Sequence, residues 1–321
     1  MPNTSRARNS IRRCPFPPGV QVVFLGTSGS WPTPKRNVSA IAVKRGGEVL
    51  LFDCGEGTQR QLMQSAVSFM QISRIFVSHL HGDHFLGIPG LVQSMQMNDR
   101  KAPLEIFGPR EVEDVLPGLV RLGHFAAQYP IAIRGLADGE VLDLGGYAVR
   151  AMEAPHPVPA LSYVLEEKPR AGRFDLEKAK ALGIPAGPLY RALQAGAPVT
   201  WQGRTFTPEM VLGPPRRGRK LVYTGDSLPN ARLVPAAMDC DLLIHDATVD
   251  TTLQEKANLY GHSTARQAAE IAVQCRAKRL VLTHVSPRYE QPDKIVEDAR
   301  AVYPEAVLAE DFLSMEIPYA D

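Results

Sequence analysis

Ser78-His79-Leu80-His81-Gly82-Asp83-His84 follows an apolar run, Ile75–Ser78, that reads as a β-strand. The chain has eight histidines in 321 residues, so H-x-H-x-D-H is expected by chance on the order of 10⁻⁴ times. Neutral imidazole and carboxylate are the nitrogen and oxygen ligands that a divalent ion such as zinc takes. A loop at a strand end can aim alternate side chains at one ion and the next pair at a second. Four residues cannot close two metal shells, so further ligands must come from elsewhere in the chain.

Three more residues occupy the same kind of position. His156 follows the strand-like run Tyr147–Ala154, Asp226 follows Leu221–Thr224 in Y-T-G-D-S, and His284 follows Leu280–Thr283 in L-T-H-V-S. Each lies just past the carboxyl end of an apolar run, where open α/β sheets gather their ligand residues. His124, in G-H-F past a helical stretch, reads instead as a capping or surface histidine.

Farther out, Val20–Leu25, Ser39–Val43, Val49–Asp53, Leu104–Phe107, Leu161–Glu166 and Leu242–His245 also read as strands. Helical periodicity marks Thr58–Ser65, Phe85–Met97, Glu111–Leu122, Ser263–Cys275 and Asp293–Val302. Strands and helices mixed from end to end imply an α/β layered domain over residues 20–321. The first 19 residues read as a basic, poorly ordered arm. Residues 167–219 break the rhythm, being rich in proline, glycine and basic residues with one short helical stretch at Leu176–Leu182. Their apolar content reads as too low for a core of their own, so the segment is expected to be a protruding insertion.

Composition narrows the function classes. A net charge of +2 argues against a uniformly basic nucleic-acid coat but leaves local patches open. No apolar run approaches the roughly 18 residues of a membrane span, and the N-terminus lacks the apolar stretch of a secretory signal. Cys14, Cys54, Cys240 and Cys275 lie far apart with no C-x-x-C pair, which points to reduced thiols and a cytoplasmic protein. The 26 glycines and 27 prolines imply many turns, with short strands and loops outnumbering long helices. Gly55-Glu56-Gly57 carries Arg60 where a dinucleotide fingerprint needs its third glycine, and no G-x-x-x-x-G-K-[ST] occurs, so no nucleotide cofactor is expected. Gly26-Thr27-Ser28-Gly29-Ser30 lacks the spacing of a nucleophile elbow and reads as a backbone turn.

The H-x-H-x-D-H loop, followed by a histidine, an aspartate and a final histidine at strand ends, resembles the metallo-β-lactamase superfamily. F-L-G-T-S-G-S at Phe24–Ser30, P-K-R-N at Pro34–Asn37, F-D-C-G-E-G-T-Q-R at Phe52–Arg60 and D-H-F-L-G-I-P-G-L at Asp83–Leu91 resemble the ribonuclease Z family in particular. So do Gly183–Tyr190, Y-T-G-D-S at Tyr223–Ser227, G-H-S-T-A at Gly261–Ala265 and T-H-V-S-P-R-Y at Thr283–Tyr289. The resemblance runs from about Val20 to Phe312.

It implies an αββα four-layer sandwich with an inserted tRNA-binding arm. It further implies an endoribonuclease that removes the 3′ trailer of precursor tRNA, with two zinc ions per subunit. His79, His81 and His156 would hold one ion, Asp83, His84 and His284 the other, and Asp226 would bridge them. Asp83 would also orient or deprotonate the attacking water, and His262 would protonate the leaving oxygen. The family usually shows H-E-A-T where this chain has His245-Asp246-Ala247-Thr248, so Asp246, one methylene shorter, would have to approach His262 more closely. The resemblance also implies a homodimer in which the arm of one subunit serves the other's active site. Lys35 and Arg36 in the P-K-R-N loop, with Lys168, Arg170, Arg173, Lys178, Lys180 and Arg191 on the insertion, are the expected RNA contacts. Two rivals remain: a hydrolase of a small phosphodiester, thioester or lactam, and a catalytically silent RNA-binding protein stabilised by metal.

Overall fold

The computed structural model describes residues 19–319, so Cys14 and all but Gly19 of the expected basic arm at 1–19 lie outside the described residues. Strand periodicity builds the layers. In β1 (Val20–Gly26), Val20, Val22 and Phe24 face one way and Val23 and Leu25 the other, and all five are buried. A strand covered on both faces reads as a continuous apolar run rather than an alternating one. That accounts for the runs in the sequence.

One sheet has the order β16 (Ser314–Ile317), β1, β2 (Ala40–Arg45), β3 (Glu48–Phe52), β4 (Ile72–Phe76), β5 (Leu104–Gly108), β6 (Ile131–Gly135). The second has the order β15 (Val307–Leu308), β14 (Leu280–Thr283), β13 (Leu242–Asp246), β12 (Lys220–Tyr223), β9 (Leu161–Glu167), β8 (Tyr147–Glu153), β7 (Val141–Asp143). Between them lies one core, which includes Val22, Phe24 and Phe76 from the first sheet and Tyr163, Tyr223 and Ile244 from the second. Phe76 anchors it, its ring centroid 5.2 Å from Phe52, 5.3 Å from Phe107 and 5.3 Å from Tyr163. Helices α1 (Thr58–Gln64), α3 (Ile88–Met97) and α4 (Val112–Leu119) cover the first sheet. Helices α7 (Val234–Ala237), α9 (Ala265–Gln274) and α10 (Asp293–Arg300) cover the second. The result is the four-layer αββα sandwich.

Chain direction decides where the site forms. β12, β13 and β14 run parallel, and β8 shares their direction because both β8 and β12 pair antiparallel with β9. The four strands therefore end at one edge, where His156, Asp226, Asp246 and His284 follow. The loop after β4 reaches the same edge, because single bridges pair His79 with Ala160 and Ser28 with Val285 across the two sheets.

Some expected elements differ. The helix expected over Phe85–Met97 is divided into α2 (Gly82–Phe85) and α3. Pro89 has no N–H with which to carry the ladder back to Phe85. Strands β6, β7, β15 and β16 are additional. β6 and β7 lie at sheet edges, are only five and three residues long, and hold no fully buried residue and one, respectively, so their apolar signal is weak.

The segment 167–219 corrects the expectation that its apolar content is too low for a core of its own. It holds α5 (Leu176–Ala181), α6 (Pro188–Gln194) and a hairpin of β10 (Val199–Trp201) and β11 (Arg204–Phe206). Ala179, Ile184, Leu193, Val199, Phe206 and Val211 form a small buried core of their own. Ile184 stands between Gly183 and Pro185 and Phe206 between two threonines, so no strand-length apolar run signals this core. Both ends of the segment are clasped at its base. Arg219, 2% exposed, donates from Nε to Glu167 Oε2 at 2.6 Å and from Nη2 to Oε1 at 2.9 Å, while Arg45 Nε reaches the same Oε1 at 2.8 Å.

Cys54, Cys240 and Cys275 are buried free thiols. Among the described residues, no helix is long and apolar enough to cross a membrane.

Removing one partner of a buried ion pair leaves an uncompensated charge. Glu167→Ala is therefore expected to lower unfolding free energy by about 3 kcal/mol in urea titrations. A loss near zero would show that the clasp does not hold the base of the segment.

Candidate metal centre

The loop after β4 leaves the strand at Phe76, and His79 and His84 are fully buried beneath it. His81 and Asp83 are more open on the cavity side. Ligand atoms of His79, His81, His156 and Asp226 lie within 4.8 Å of one another, and so do those of Asp83, His84 and His284. All seven expected ligands thus meet at one edge. Asp226 sits between the two groups: Oδ2 is 3.7 Å from His79 Nε2 and 3.2 Å from His284 Nε2, and Oδ1 is 3.3 Å from His84 Nε2. His84 Nε2 and His284 Nε2 lie 3.5 and 3.3 Å from Asp83 Oδ2, and His156 Nε2 lies 3.3 Å from His81 Nδ1.

Among the described residues, the buried Nε2 atoms of His79 and His84 and Oδ1 of Asp226 have no hydrogen-bond partner. Buried polar atoms are almost always satisfied. Three orphans converging from two sheets are the arrangement that cations between them would complete, and imidazole with carboxylate suits a divalent ion.

Electrostatics agrees. Burial, reinforced by repulsion from His84, holds the His79 pKa well below its ordinary value, so the ring stays neutral as a ligand must. Burial also lowers His81 and His156. Burial opposes a charge on His84, but the carboxylates of Asp226, Asp53 and Asp83 outweigh it and raise its pKa well above the usual range. A field that favours a proton there also favours a cation.

Second partners orient the rings, as they do in metal sites generally. Asp53, fully buried, accepts from Ser78 N at 2.6 Å, Ser78 Oγ at 2.8 Å and Tyr223 OH at 2.5 Å, and its Oδ2 lies 2.7 Å from His84 Nδ1. His156 Nδ1 is 3.1 Å from Gly261 O, and His284 Nδ1 is 3.0 Å from Thr248 Oγ1. Gly261 has a φ of +81°, and a Cβ there would stand 2.7 Å from His156 Nδ1. Asp53 and His284, each just past a strand, have φ of +57° and +62°, backbone strain of the kind found where a site must be held.

A histidine–carboxylate pair flanks this cluster. Thr264 caps α9 and shares a capping box with Gln267, which places His262 and Ser263 immediately before the helix. His262 Nδ1 is 3.1 Å from Oδ2 of the buried Asp246, and its ring stacks at 5.2 Å on His284. The shorter aspartate does reach. Its Oδ2 also accepts from Ser227 N and Ser263 N at 3.3 Å, and its Oδ1 from Thr248 Oγ1 at 2.6 Å. Burial works against a charged His262, but Asp246 and Asp226 raise its pKa to about 9. His262 lines a cavity of about 620 Å³ together with His81, Asp83, Asp226 and His284. His245 points elsewhere; it is buried with Nδ1 2.8 Å from Asp246 O. His124 is exposed, away from the cluster.

The expected RNA contacts divide. Lys35, Arg173, Lys178, Lys180 and Arg191 are exposed. Lys178 pairs with Asp175, which caps α5, at 3.3 Å, and Lys180 with Glu177 on α5 at 2.8 Å. Lys168 is exposed but reaches Asp143 at 2.8 Å. Arg170 packs its guanidinium 3.3 Å from the Tyr319 ring. Arg36 turns inward, donating from Nη1 to Thr27 Oγ1 at 2.7 Å and Ala309 O at 2.5 Å. Sequence reasoning assigned no role to Asp53 or Thr248; the one signal for Asp53 was its place at the end of an apolar run, inside F-D-C-G-E-G-T-Q-R.

The fold is that of the metallo-β-lactamase proteins. The crystal structure of the metallo-β-lactamase fold protein YhfI from Bacillus subtilis superposes with a TM-score of 0.67 at 19% identity, over 93% of this chain and 99% of its own. The short form of human tRNase Z superposes with a TM-score of 0.69 at 32% identity, over 93% of this chain and 99% of its own. Ribonuclease Z of Methanosarcina acetivorans is 46% identical over 301 residues, 94% of this chain and 99% of its own. The family of anti-Pycsar protein Apyc1 matches residues 20–123. The chain belongs to the ribonuclease Z family and is an endoribonuclease, a hydrolase of phosphodiester bonds.

Asp53 holds the ring of His84 without itself reaching the cavity. Asp53→Asn is expected to weaken metal binding at His84 by about 10- to 100-fold in chelator competition. Unchanged affinity would remove Asp53 from the support of the site.

Proposed function

We propose that this chain cuts the 3′ trailer from precursor tRNA, leaving a tRNA 3′-hydroxyl and a 5′-phosphorylated trailer. Family membership supports the substrate. The observation that carries the chemistry is His262, held by the buried Asp246 and opening on the same cavity as His81, Asp83, Asp226 and His284 of the cluster that also holds His79, His84 and His156. Zinc is the ion that the donor set suits. His79, His81 and His156 would hold one ion, Asp83, His84 and His284 the second, and Asp226 both. When bound, the pair would supply Lewis-acid polarisation of the phosphodiester and acidify a water near neutral pH.

The chain's own groups do the rest. Asp83 Oδ2 accepts from Ser30 N at 2.7 Å, which fixes the carboxylate to orient the water and take its proton. His262, held by Asp246 through Nδ1, keeps Nε2 free to protonate the leaving oxygen of the trailer. Asp246 is a positioning residue, and through Thr248 it also steadies His284.

The exposed cations of segment 167–219 suit a folded RNA, which is read by shape and phosphate contacts rather than by base sequence. Their pairings with surface acids are weak, and a phosphate can displace them. The clasp at Glu167 and Arg219 would give the segment a firm base from which to act as an arm. We assign the protein, on its family, to the cytoplasm as a homodimer in which one subunit's arm serves the other's site, with no nucleotide cofactor.

Incubation of the metal-loaded protein with a 3′-extended precursor tRNA is expected to release the trailer as one fragment, and a chelator is expected to stop it. Metal binding without a tRNA cut would move the assignment to a small ester or phosphodiester. Asp83→Ala is expected to abolish cleavage while tRNA binding survives; unchanged cleavage would show that Asp83 neither orients nor deprotonates the water. Replacing residues 171–215 with a short glycine-serine linker keeps the clasp; it is expected to abolish tRNA cleavage and spare a small phosphodiester. Equal loss of both activities would count against the arm.

A further inference from the structure

Two large aromatic side chains stand exposed at the mouth of the metal centre. Trp31 is 61% exposed and Tyr260 59% exposed, and both line the cavity that contains His81, Asp83 and His262. Each is tied to the reacting groups through one or two residues of fixed backbone. Trp31 follows Ser30, whose N–H is bound to Asp83, and its own N–H donates to Gly29 O at 2.8 Å while its carbonyl accepts from Ser28 Oγ at 2.9 Å. Gly29 packs so closely that a Cβ there would stand 2.6 Å from His284 Cε1. On the other side, Tyr260 ends the short helix α8 (Gln254–Leu259), its N–H donating to Ala257 O at 3.0 Å. The next two residues are Gly261, whose carbonyl meets His156, and His262.

Leaving an indole and a phenol ring in water at a polar, cationic site gains nothing for folding. Unpaired nucleobases have apolar faces of matching size, and proteins that hold single-stranded RNA stack them on such rings. Lys256 and Arg288, both exposed, line the same cavity and have no carboxylate partner among the described residues, so the walls between the rings suit phosphates.

We infer that Trp31 and Tyr260 are stacking platforms for the two unpaired nucleobases on either side of the scissile phosphate. The inference rests on the tRNA-processing reading and deepens it. Stacking on both sides fixes the strand's register, so the phosphate between the two bases, and no other, reaches Asp83 and His262. The rings act on position, not on the chemistry itself.

The test uses the metal-loaded full chain and two precursor tRNAs, one natural and one abasic at both nucleotides flanking the cut. Stacking on one ring is worth about 5- to 150-fold in binding. Trp31→Ala and Tyr260→Ala are each expected to lose roughly that much kcat/KM on the natural precursor. Neither should lose further on the abasic one, and Trp31→Phe should recover most of the activity. Equal losses on both substrates, or no loss on either, would overturn the inference.

A second readout does not depend on cleavage. The chain has two tryptophans, so Trp201→Phe leaves Trp31 as the sole indole. Its fluorescence is expected to be quenched by the natural precursor and not by the abasic one. Absence of quenching would overturn the stacking. Quenching without any cleavage by the wild-type protein would keep the stacking and remove the tRNA-processing reading instead.

Discussion

The carboxylate of Asp53 joins the two sheets at the edge where the ligands gather. It follows β3 of the first sheet, yet it accepts a hydrogen bond of 2.5 Å from Tyr223 at the end of β12 in the second. From its own side it takes Ser78 N, Ser78 Oγ and His84 Nδ1. A buried carboxylate without such donors would cost several kcal/mol. With them, it sets the distance between the β4 and β12 loops and turns Nε2 of His84 toward Asp226. The ligand cluster depends on this junction, since its members come from both sheets.

A second buried carboxylate plays a similar part on the far side of the cluster. Asp246 binds His262 with one oxygen and Thr248 with the other, and Thr248 in turn meets His284. His262 and His284 are thus both held by a single side chain, fully buried at the end of β13. Farther along β9, Glu167 and Arg219 secure the base of the inserted segment. Each of these acids accepts from at least two donors, which offsets the cost of burying it.

Much of the site could be read locally. Four members of the cluster lie within six residues, and His156, Asp226 and His284 were marked by their places after apolar runs. Asp246 was marked only by a departure from the family pattern, and its contact with His262 had to be measured. Asp53 and Thr248 were not legible as site residues, because their partners Tyr223 and His284 are 170 and 36 residues away. Arg36 shows the converse: its charge suggests RNA, but the guanidinium is bound to Thr27 and Ala309 inside the fold. The core of the segment 167–219 escaped notice because Ile184, Leu193 and Phe206 are single apolar residues that meet only when two helices and a hairpin pack together.

The sequence by itself determined the chemistry available and the layering. Donor types are covalent facts, and strand and helix periods follow from backbone geometry, so His79 through His84 and the apolar runs carry their meaning locally. Only the tertiary structure decided which acids become partners, which cations stay in solvent, and which aromatic rings frame the cavity. Those outcomes depend on burial and on distances between residues far apart in the chain. The direction of β8, β12, β13 and β14, set by pairing across the sheet, brings their loops to one edge.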